Sequence, residues 1–84
     1  MKQLIKKYIE KLTINDLEKF ATNNNIILNN QELETIYSFI KENWETIITD
    51  YETITYLKNK INNDAYSKLK ELLLKYKNKY QSFL

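Results

Sequence analysis

The side chains best suited to acid–base chemistry in this sequence are two pairs of closely spaced carboxylates: Glu32 with Glu34, and Glu42 with Glu45. Paired carboxylates act as general acid and base only when shielding from solvent separates their pKa values. Glu34, Glu42 and Glu45 fall off the apolar stripe of the helix predicted to carry them, so we expect them to be solvated. The sequence has no His or Cys to supply an imidazole base or a thiol nucleophile. We therefore predict that the protein is not an enzyme.

A helix–loop–helix predicted over residues 12–48 raises the question of a calcium-binding EF-hand. If Glu32 were the last, bidentate ligand, Ala21 would hold the first position of the loop and Ile26 the sixth. Those two positions need an acidic residue and a glycine. The sequence also has no Gly for a phosphate-binding loop, and no Cys or His for a zinc site. We therefore expect no metal site and no cofactor.

The last predicted helix is rich in lysine. Its apolar stripe is flanked by two rows: Lys68, Lys75 and Lys79 on one side, Lys70 and Lys77 on the other. The first row holds the candidate nucleic-acid contacts, because ammonium groups bind phosphates. The alternative is that the lysine stems cover the edges of the core while their charges stay in water. Since the sequence has no Arg, any nucleic-acid binding is expected to be independent of base sequence.

Two apolar residues, Phe39 and Leu74, lie off the stripes of their helices. If both are exposed and near one another, they mark a candidate protein interface. Single exposed apolar residues are common, however, and a second contact could bury Phe39. Trp44 lies in the middle of its stripe and is predicted to anchor the core.

Charge is distributed unevenly along the chain. Residues 1–9 carry +3, residues 10–52 carry −6 and residues 53–84 carry +5, for a net charge of +2. The basic ends can pack beside the acidic middle within one molecule, where exposed ion pairs contribute little. The alternative is self-association, in which the basic end of one copy lies against the acidic face of another.

Apolar spacing and helix-start signals predict a compact all-α bundle of about five helices in a single domain, residues 1–84. The predicted helices span residues 2–11, 14–23, 30–49, 51–60 and 63–82. The first is expected to bury a stripe made of Leu4, Ile5, Tyr8, Ile9 and Leu12. The third is expected to be the central strut, with Leu33, Ile36, Tyr37, Ile40, Trp44, Ile47 and Ile48 on its stripe. The last carries Tyr66, Leu69, Leu73, Tyr76, Tyr80 and Phe83.

Two matching start signals set the second and third helices. Thr13 and Asn29 are each followed three residues later by an acid, Asp16 and Glu32, which is the pattern of a capping box. Asn residues at 23–25 are expected to end the second helix, since Asn tolerates the left-handed conformation that Gly usually supplies. The apolar run at residues 26–28 is predicted to be a buried connector.

The composition is narrow, and half of the 84 residues are Lys, Asn, Ile or Tyr. These amino acids have A/T-rich codons, so the bias reflects the genome at least as much as the protein. No apolar run approaches the roughly 18 residues needed to span a membrane. The N-terminal residues alternate charged and apolar side chains, as a helix does and a signal peptide does not. We therefore expect a cytoplasmic protein that does not bind membranes.

The chain resembles a family of short bacterial proteins. The pattern that carries the resemblance is Leu12-Thr13-x-x-Asp16-Leu17-x-x-Phe20-Ala21, followed by Asn25-Ile26-x-Leu28-x-x-x-Glu32-Leu33-x-x-Ile36-x-x-Phe39-Ile40-Lys41-x-Asn43. That family is known only as a domain of unknown function in low-GC Gram-positive bacteria, and the similarity covers roughly residues 1–60. The resemblance implies a compact cytoplasmic helical fold, and it assigns no activity and no functional residues.

Regular core stripes beside an absence of catalytic residue types favour one functional hypothesis. We predict a non-enzymatic protein–protein interaction module or self-associating domain, whose partner is another protein or a second copy of this chain. The alternative is a nucleic-acid-binding accessory protein that uses Lys68, Lys75 and Lys79.

Overall fold

The computed structural model describes residues 2–80, which form four α-helices and one 3-10 helix. In chain order these are α1 (Lys2–Lys11), α2 (Ile14–Asn23), α3 (Asn30–Thr49), the 3-10 helix (Tyr51–Leu57) and α4 (Asn63–Tyr80). The predicted all-α fold is confirmed, and the first three helices have the predicted bounds. Residues 81–82 of the last predicted helix, and Phe83 of its stripe, lie outside the described residues. The Cα radius of gyration is 12.3 Å, close to the roughly 12 Å of a compact domain of this length.

Both predicted capping boxes are present. At the start of α2, the Thr13 N–H donates to the Asp16 carboxylate at 3.0 Å, and the Asp16 N–H donates to the Thr13 hydroxyl oxygen at 3.1 Å. At the start of α3, the reciprocal bonds between Asn29 and Glu32 measure 2.9 and 2.7 Å. These bonds satisfy N–H groups that a helix start otherwise leaves unpaired, which explains why the boundaries follow from local sequence.

The end of α2 is a Schellman motif that uses asparagine in place of glycine. Asn25 has a φ of 60°, in the left-handed region. The Ile26 N–H donates to the Ala21 carbonyl at 2.8 Å, and the Asn25 N–H donates to the Thr22 carbonyl at 3.2 Å. This pair of bonds defines the motif. The prediction that Asn ends this helix is confirmed.

The capping box of α2 makes the stability of the protein depend on pH. The Thr13 backbone N–H donates to the Asp16 carboxylate and, with a further hydrogen bond from the Thr13 side chain, holds the pKa of Asp16 below its ordinary value. Because the pKa is lower in the folded state, this contribution to stability is present above the unfolded value of about 4 and is lost as the pH falls through the folded value.

We expect Asp16→Asn to lower the free energy of unfolding at neutral pH, because the amide is a weaker acceptor than the carboxylate. The difference between the two proteins should shrink as the pH falls through the lowered pKa of Asp16, because the wild-type carboxyl is then also protonated. Urea denaturation followed by circular dichroism at several pH values measures this. A difference that is the same at every pH would contradict the assignment.

The fourth helix differs from its prediction, since it is a 3-10 helix that ends at Leu57 rather than three residues later. Asp50 begins it and accepts a hydrogen bond from the Glu52 N–H at 3.1 Å. Residues 53–55 are all β-branched, and such side chains lose rotamer freedom in a helix. The segment therefore forms a short 3-10 helix, and a non-helical turn follows at residues 58–60.

The core lies where α2, α3, the 3-10 helix and the start of α4 meet. It is formed by ten buried apolar residues: Leu17, Ala21, Ile26, Leu33, Ile36, Phe39, Ile54, Leu57, Ile61 and Ala65. The helix α3 contacts α1, α2 and the 3-10 helix, which confirms its predicted role as the central strut. Trp44 is half-buried at the edge, so it is not the deep anchor that the sequence predicts.

No helix of the described residues combines the length and the apolar character that crossing a membrane requires.

The connector between α2 and α3 is only partly buried. Ile26 is buried and Leu28 is half-buried, but Ile27 is 79% exposed, so the prediction of a buried connector is wrong at this residue. The Asn62 side-chain amide donates to the Ile27 carbonyl at 2.8 Å and ties the connector to the start of α4.

The first helix is attached to the outside of α3. None of its residues is fully buried. The Lys41 ammonium of α3 donates to the carbonyls of Ile9 and Glu10 at 2.6 and 3.2 Å, and the Tyr37 hydroxyl donates to the Leu12 carbonyl at 3.0 Å. These carbonyls at and just beyond the C-terminus of α1 accept donors from α3, and the lysine charge is favourable there.

Candidate protein-interaction surfaces

The interface predicted at Phe39 and Leu74 requires that both residues be exposed, and this condition is not met. Phe39 is only 6% exposed and belongs to the core, while Leu74 is half-buried on α4. Phe39 lies off the main stripe of α3 because its ring contacts the 3-10 helix, where it stacks on Tyr56. A second contact therefore buries Phe39, and the two residues do not form an exposed patch.

A groove of about 680 Å³ runs along the junction of α3 and the 3-10 helix. We call it the acidic groove. It is lined by Gln31, Glu34, Thr35, Ser38, Phe39, Glu42, Asn43, Thr53 and Tyr56. The α3 members recur at three- and four-residue intervals and therefore share one side of that helix. Glu34 and Glu42 are the charged members of the lining, and both are exposed to solvent.

The floor of the acidic groove is aromatic. The ring centroids of Phe39 and Tyr56 are 5.2 Å apart and the ring planes are inclined by 5°, so the rings are stacked. Phe39 is buried, whereas Tyr56 is 59% exposed. The core thus supports a ring whose surface remains largely in water. The Lys60 ammonium lies 4.7 Å from the centroid of the Tyr56 ring and makes a cation–π contact with it.

The two carboxylates of the acidic groove act separately. Glu34 and Glu42 are eight residues apart on one helix, which places their backbones about 12 Å apart. At that spacing they cannot share a proton or one metal ion, so the arrangement suits a ligand with spaced positive charges. Nor do three or more acidic side chains of residues 2–80 gather into a group that could hold a metal ion.

Glu32, which the sequence pairs with Glu34, is bonded within the fold. One carboxylate oxygen accepts the Asn29 N–H in the capping box, and the other accepts the Asn62 backbone N–H at 2.6 Å. The Asn62 side chain in turn accepts the Ala65 N–H at 2.8 Å and so caps α4. Glu32 therefore joins the starts of α3 and α4. The capping pattern predicts the first bond, but no local signal predicts the second.

The three candidate nucleic-acid contacts do not have equivalent surroundings. The Lys68 ammonium donates to the Asn25 carbonyl at 2.7 Å and forms an ion pair with Asp64 at 3.0 Å. It therefore holds α4 against the end of α2. Lys75 and Lys79 are exposed near the other end of α4. The row predicted from the helical spacing is thus split between a structural contact and a charged surface.

A second exposed surface lies on α1, and we call it the outer face of α1. It consists of Leu4, Lys7, Tyr8 and Lys11, all exposed. Leu4 and Tyr8 are 66% and 67% exposed, so the prediction that both belong to a buried stripe is wrong. The physical reason is that α1 packs on one neighbour, α3, and a single neighbour covers only a narrow stripe.

The half-buried residues of α1 are Ile5 and Ile9. Successive residues of a helix are about 100° apart, so Leu4 and Tyr8 each lie well to one side of the residue that follows them. The predicted stripe was therefore too wide for one helix contact. That width is the signal by which sequence reasoning could have found a second surface.

Comparison of the chain with known protein families, curated proteins and solved structures finds no match. The resemblance to a family of short bacterial proteins therefore stays a prediction. The class that the fold defines is a small all-α protein, with one acidic groove and one basic, partly apolar helix face among its described surfaces. The assignment of function therefore rests on the chemistry of the exposed surfaces.

Proposed function

We propose that this protein is a non-enzymatic protein-interaction module and that the acidic groove is its binding surface. The observation that carries the proposal is the exposed Tyr56 ring, which is stacked on the buried Phe39 and shares a groove with Glu34 and Glu42. Aromatic residues held rigidly on a supporting core are typical of the side chains that dominate the binding energy of protein interfaces.

The proposed partner is a basic segment with some apolar character. Apolar side chains of the partner would pack on the part of the Tyr56 ring that Phe39 and Lys60 leave exposed. Its ammonium groups would reach Glu34 and Glu42. Exposed ion pairs contribute about 0–1 kcal/mol each. The charges therefore act mainly on partner choice and association rate, and we expect weak, reversible binding that falls as salt rises.

Binding of nucleic acid by α4 is the alternative function, and fewer observations support it. One of its three candidate lysines, Lys68, already donates to a backbone carbonyl and to Asp64. The chain also lacks Arg, the residue best suited to phosphate recognition.

The preferred proposal includes a cytoplasmic location, which fits a small chain that has no Cys for disulfide bonds.

Titration of isotope-labelled protein with two synthetic helical peptides tests the proposal by NMR. One peptide carries alternating Lys and Leu on one face, and the other has Glu in place of Lys. We expect the Lys peptide to shift the resonances of Tyr56 and of α3 around Ser38, and the Glu peptide to leave them unchanged. The variant Glu34→Lys with Glu42→Lys is expected to bind the Lys peptide at least tenfold more weakly, which corresponds to about 1.4 kcal/mol.

A matched control reverses two exposed acids elsewhere, Glu18→Lys on α2 and Glu71→Lys on α4. This control changes the net charge by the same amount and is expected to bind the Lys peptide nearly as well as the wild type does. If both double variants weaken binding equally, or if no resonance of the acidic groove shifts, the groove is not the binding surface.

A further inference from the structure

We infer that the partner segment of the acidic groove is α1 of a second copy of this chain. This inference rests on the proposed function and names its ligand. The outer face of α1 has the two properties that the groove requires, since Lys7 and Lys11 are basic and Leu4 and Tyr8 are apolar. All four side chains are exposed although they belong to a helix that is docked on the protein.

The dimensions of the two surfaces agree. The ten residues of α1 make a helix about 15 Å long. The α3 wall of the acidic groove runs from Gln31 to Asn43, which is about 18 Å along the helix axis. A helix of the length of α1 therefore fits along this wall without extending far beyond it.

Each of the two surfaces carries apolar side chains beside charged ones. Leu4 and Tyr8 are four residues apart, as are Lys7 and Lys11, so α1 presents an apolar row beside a basic row. The groove presents the exposed Tyr56 ring on one side and the carboxylates of its α3 wall on the other. With α1 lying along the groove, the apolar row covers Tyr56 while the basic row faces the carboxylates.

Helix α1 and the acidic groove both adjoin α3, so a symmetric dimer can contain the same contact in two copies. On α3, Tyr37 and Lys41 hold α1, and the next residues, Ser38 and Glu42, line the acidic groove. Successive residues are about 100° apart round a helix, so α1 and the groove occupy neighbouring sides of α3. A two-fold axis can then place α1 of each copy in the groove of the other.

Sedimentation velocity over a range of protein and salt concentrations tests this dimer. We expect the wild type to reach twice the monomer mass at low salt and to dissociate as salt rises. The groove variant, Glu34→Lys with Glu42→Lys, and the helix variant, Lys7→Glu with Lys11→Glu, should each dimerise at least tenfold more weakly, because each sets like charges against one another.

Two combinations should restore association. An equimolar mixture of the groove variant and the helix variant should form a 1:1 heterodimer, and a single chain with all four substitutions should again form a homodimer, because both pair opposite charges. Matched controls are Glu18→Lys with Glu71→Lys and Lys58→Glu with Lys70→Glu, all at exposed positions, and they are expected to dimerise like the wild type. Circular dichroism verifies that each variant is folded.

A wild type that remains a monomer at millimolar concentration and low salt overturns the inference, as does a dimer that the charge reversals leave unchanged. A dimer that the reversals weaken but neither combination restores also overturns it.

The peptide titration separates these results from the proposed function. If the monomer still binds the Lys peptide in the acidic groove, the groove serves another protein. If the protein neither dimerises nor binds the Lys peptide, both proposals fail. Co-sedimentation of a monomeric wild type with anionic phosphatidylglycerol vesicles, lost in the helix variant, would assign the outer face of α1 to a lipid surface instead.

Discussion

Replacing Ile36 by alanine is expected to lower the free energy of unfolding by about 2–5 kcal/mol. Ile36 is 1% exposed and lies in the first half of α3, where the smaller side chain leaves a cavity. A domain of this length has a total stability of about 4–13 kcal/mol, so the substitution removes a large part of it. Urea denaturation followed by far-ultraviolet circular dichroism measures the loss as a lower midpoint.

The chain contains a matched control for this substitution. Ile27→Ala makes the same chemical change at a side chain that is 79% exposed, and we expect a change within about 0.5 kcal/mol. Equal losses for the two variants would mean that Ile36 is not part of a packed core. A loss confined to Ile36→Ala supports α3 as the central strut of the fold.

Replacing Glu32 by alanine is expected to lower the free energy of unfolding by about 2 kcal/mol. The substitution removes the capping-box bond to Asn29 and the 2.6 Å bond from the Asn62 backbone N–H. A capping bond contributes about 1 kcal/mol, and the exposed hydrogen bond from Asn62 to the charged carboxylate contributes about as much. The Glu32→Gln variant retains one acceptor oxygen and should lose about half as much.

The capping box of α2 serves as a control that separates the contribution of the Glu32–Asn62 bond from that of the cap itself. Asp16→Ala removes the equivalent acid from the start of α2, where the carboxylate bonds to Thr13 in the capping box. We expect a smaller loss for Asp16→Ala than for Glu32→Ala under the same conditions. If the two losses are equal, the bond between Glu32 and Asn62 does not stabilise the junction of α3 and α4.

These stability effects and the proposed binding involve different sides of α3. Ile36 and Leu33 face the core, whereas Glu34 and Glu42 face the acidic groove. Surface substitutions away from caps and the core usually change stability by less than about 0.5 kcal/mol. The charge reversals in the groove should therefore change association while leaving the unfolding midpoint nearly unchanged, which makes loss of binding separable from loss of folding.

Part of this structure follows from local sequence. The bounds of α2 and α3 are predicted correctly because each capping box consists of bonds between residues three apart, and such bonds form wherever the sequence provides them. The end of α2 is predicted for the same reason, since the left-handed conformation of Asn25 depends on one side chain. The stripe of α3 is predicted in part, since Leu33 and Ile36 are buried while its other members are only half-buried.

The candidate site follows much less from local sequence. Helical spacing predicts that Glu34 and Glu42 are solvated, but the residues expected to form an interface, Phe39 and Leu74, do not form an exposed patch. No local signal points to Tyr56, which forms the exposed floor of the acidic groove, because its environment depends on where the 3-10 helix packs. Periodicity shows which residues share a face of a helix, but it does not show how much of that face a neighbour covers.

Local sequence is enough to specify the all-α class, the order of the helices and the positions at which α2 and α3 begin, because these depend on contacts within a few residues. Long-range packing is what leaves Leu4 and Tyr8 exposed, buries Phe39 under Tyr56, and binds Lys68 to the end of α2. Each of these outcomes depends on a partner distant in sequence or on its absence among the described residues. The surfaces available for binding are what remains after those long-range contacts have formed.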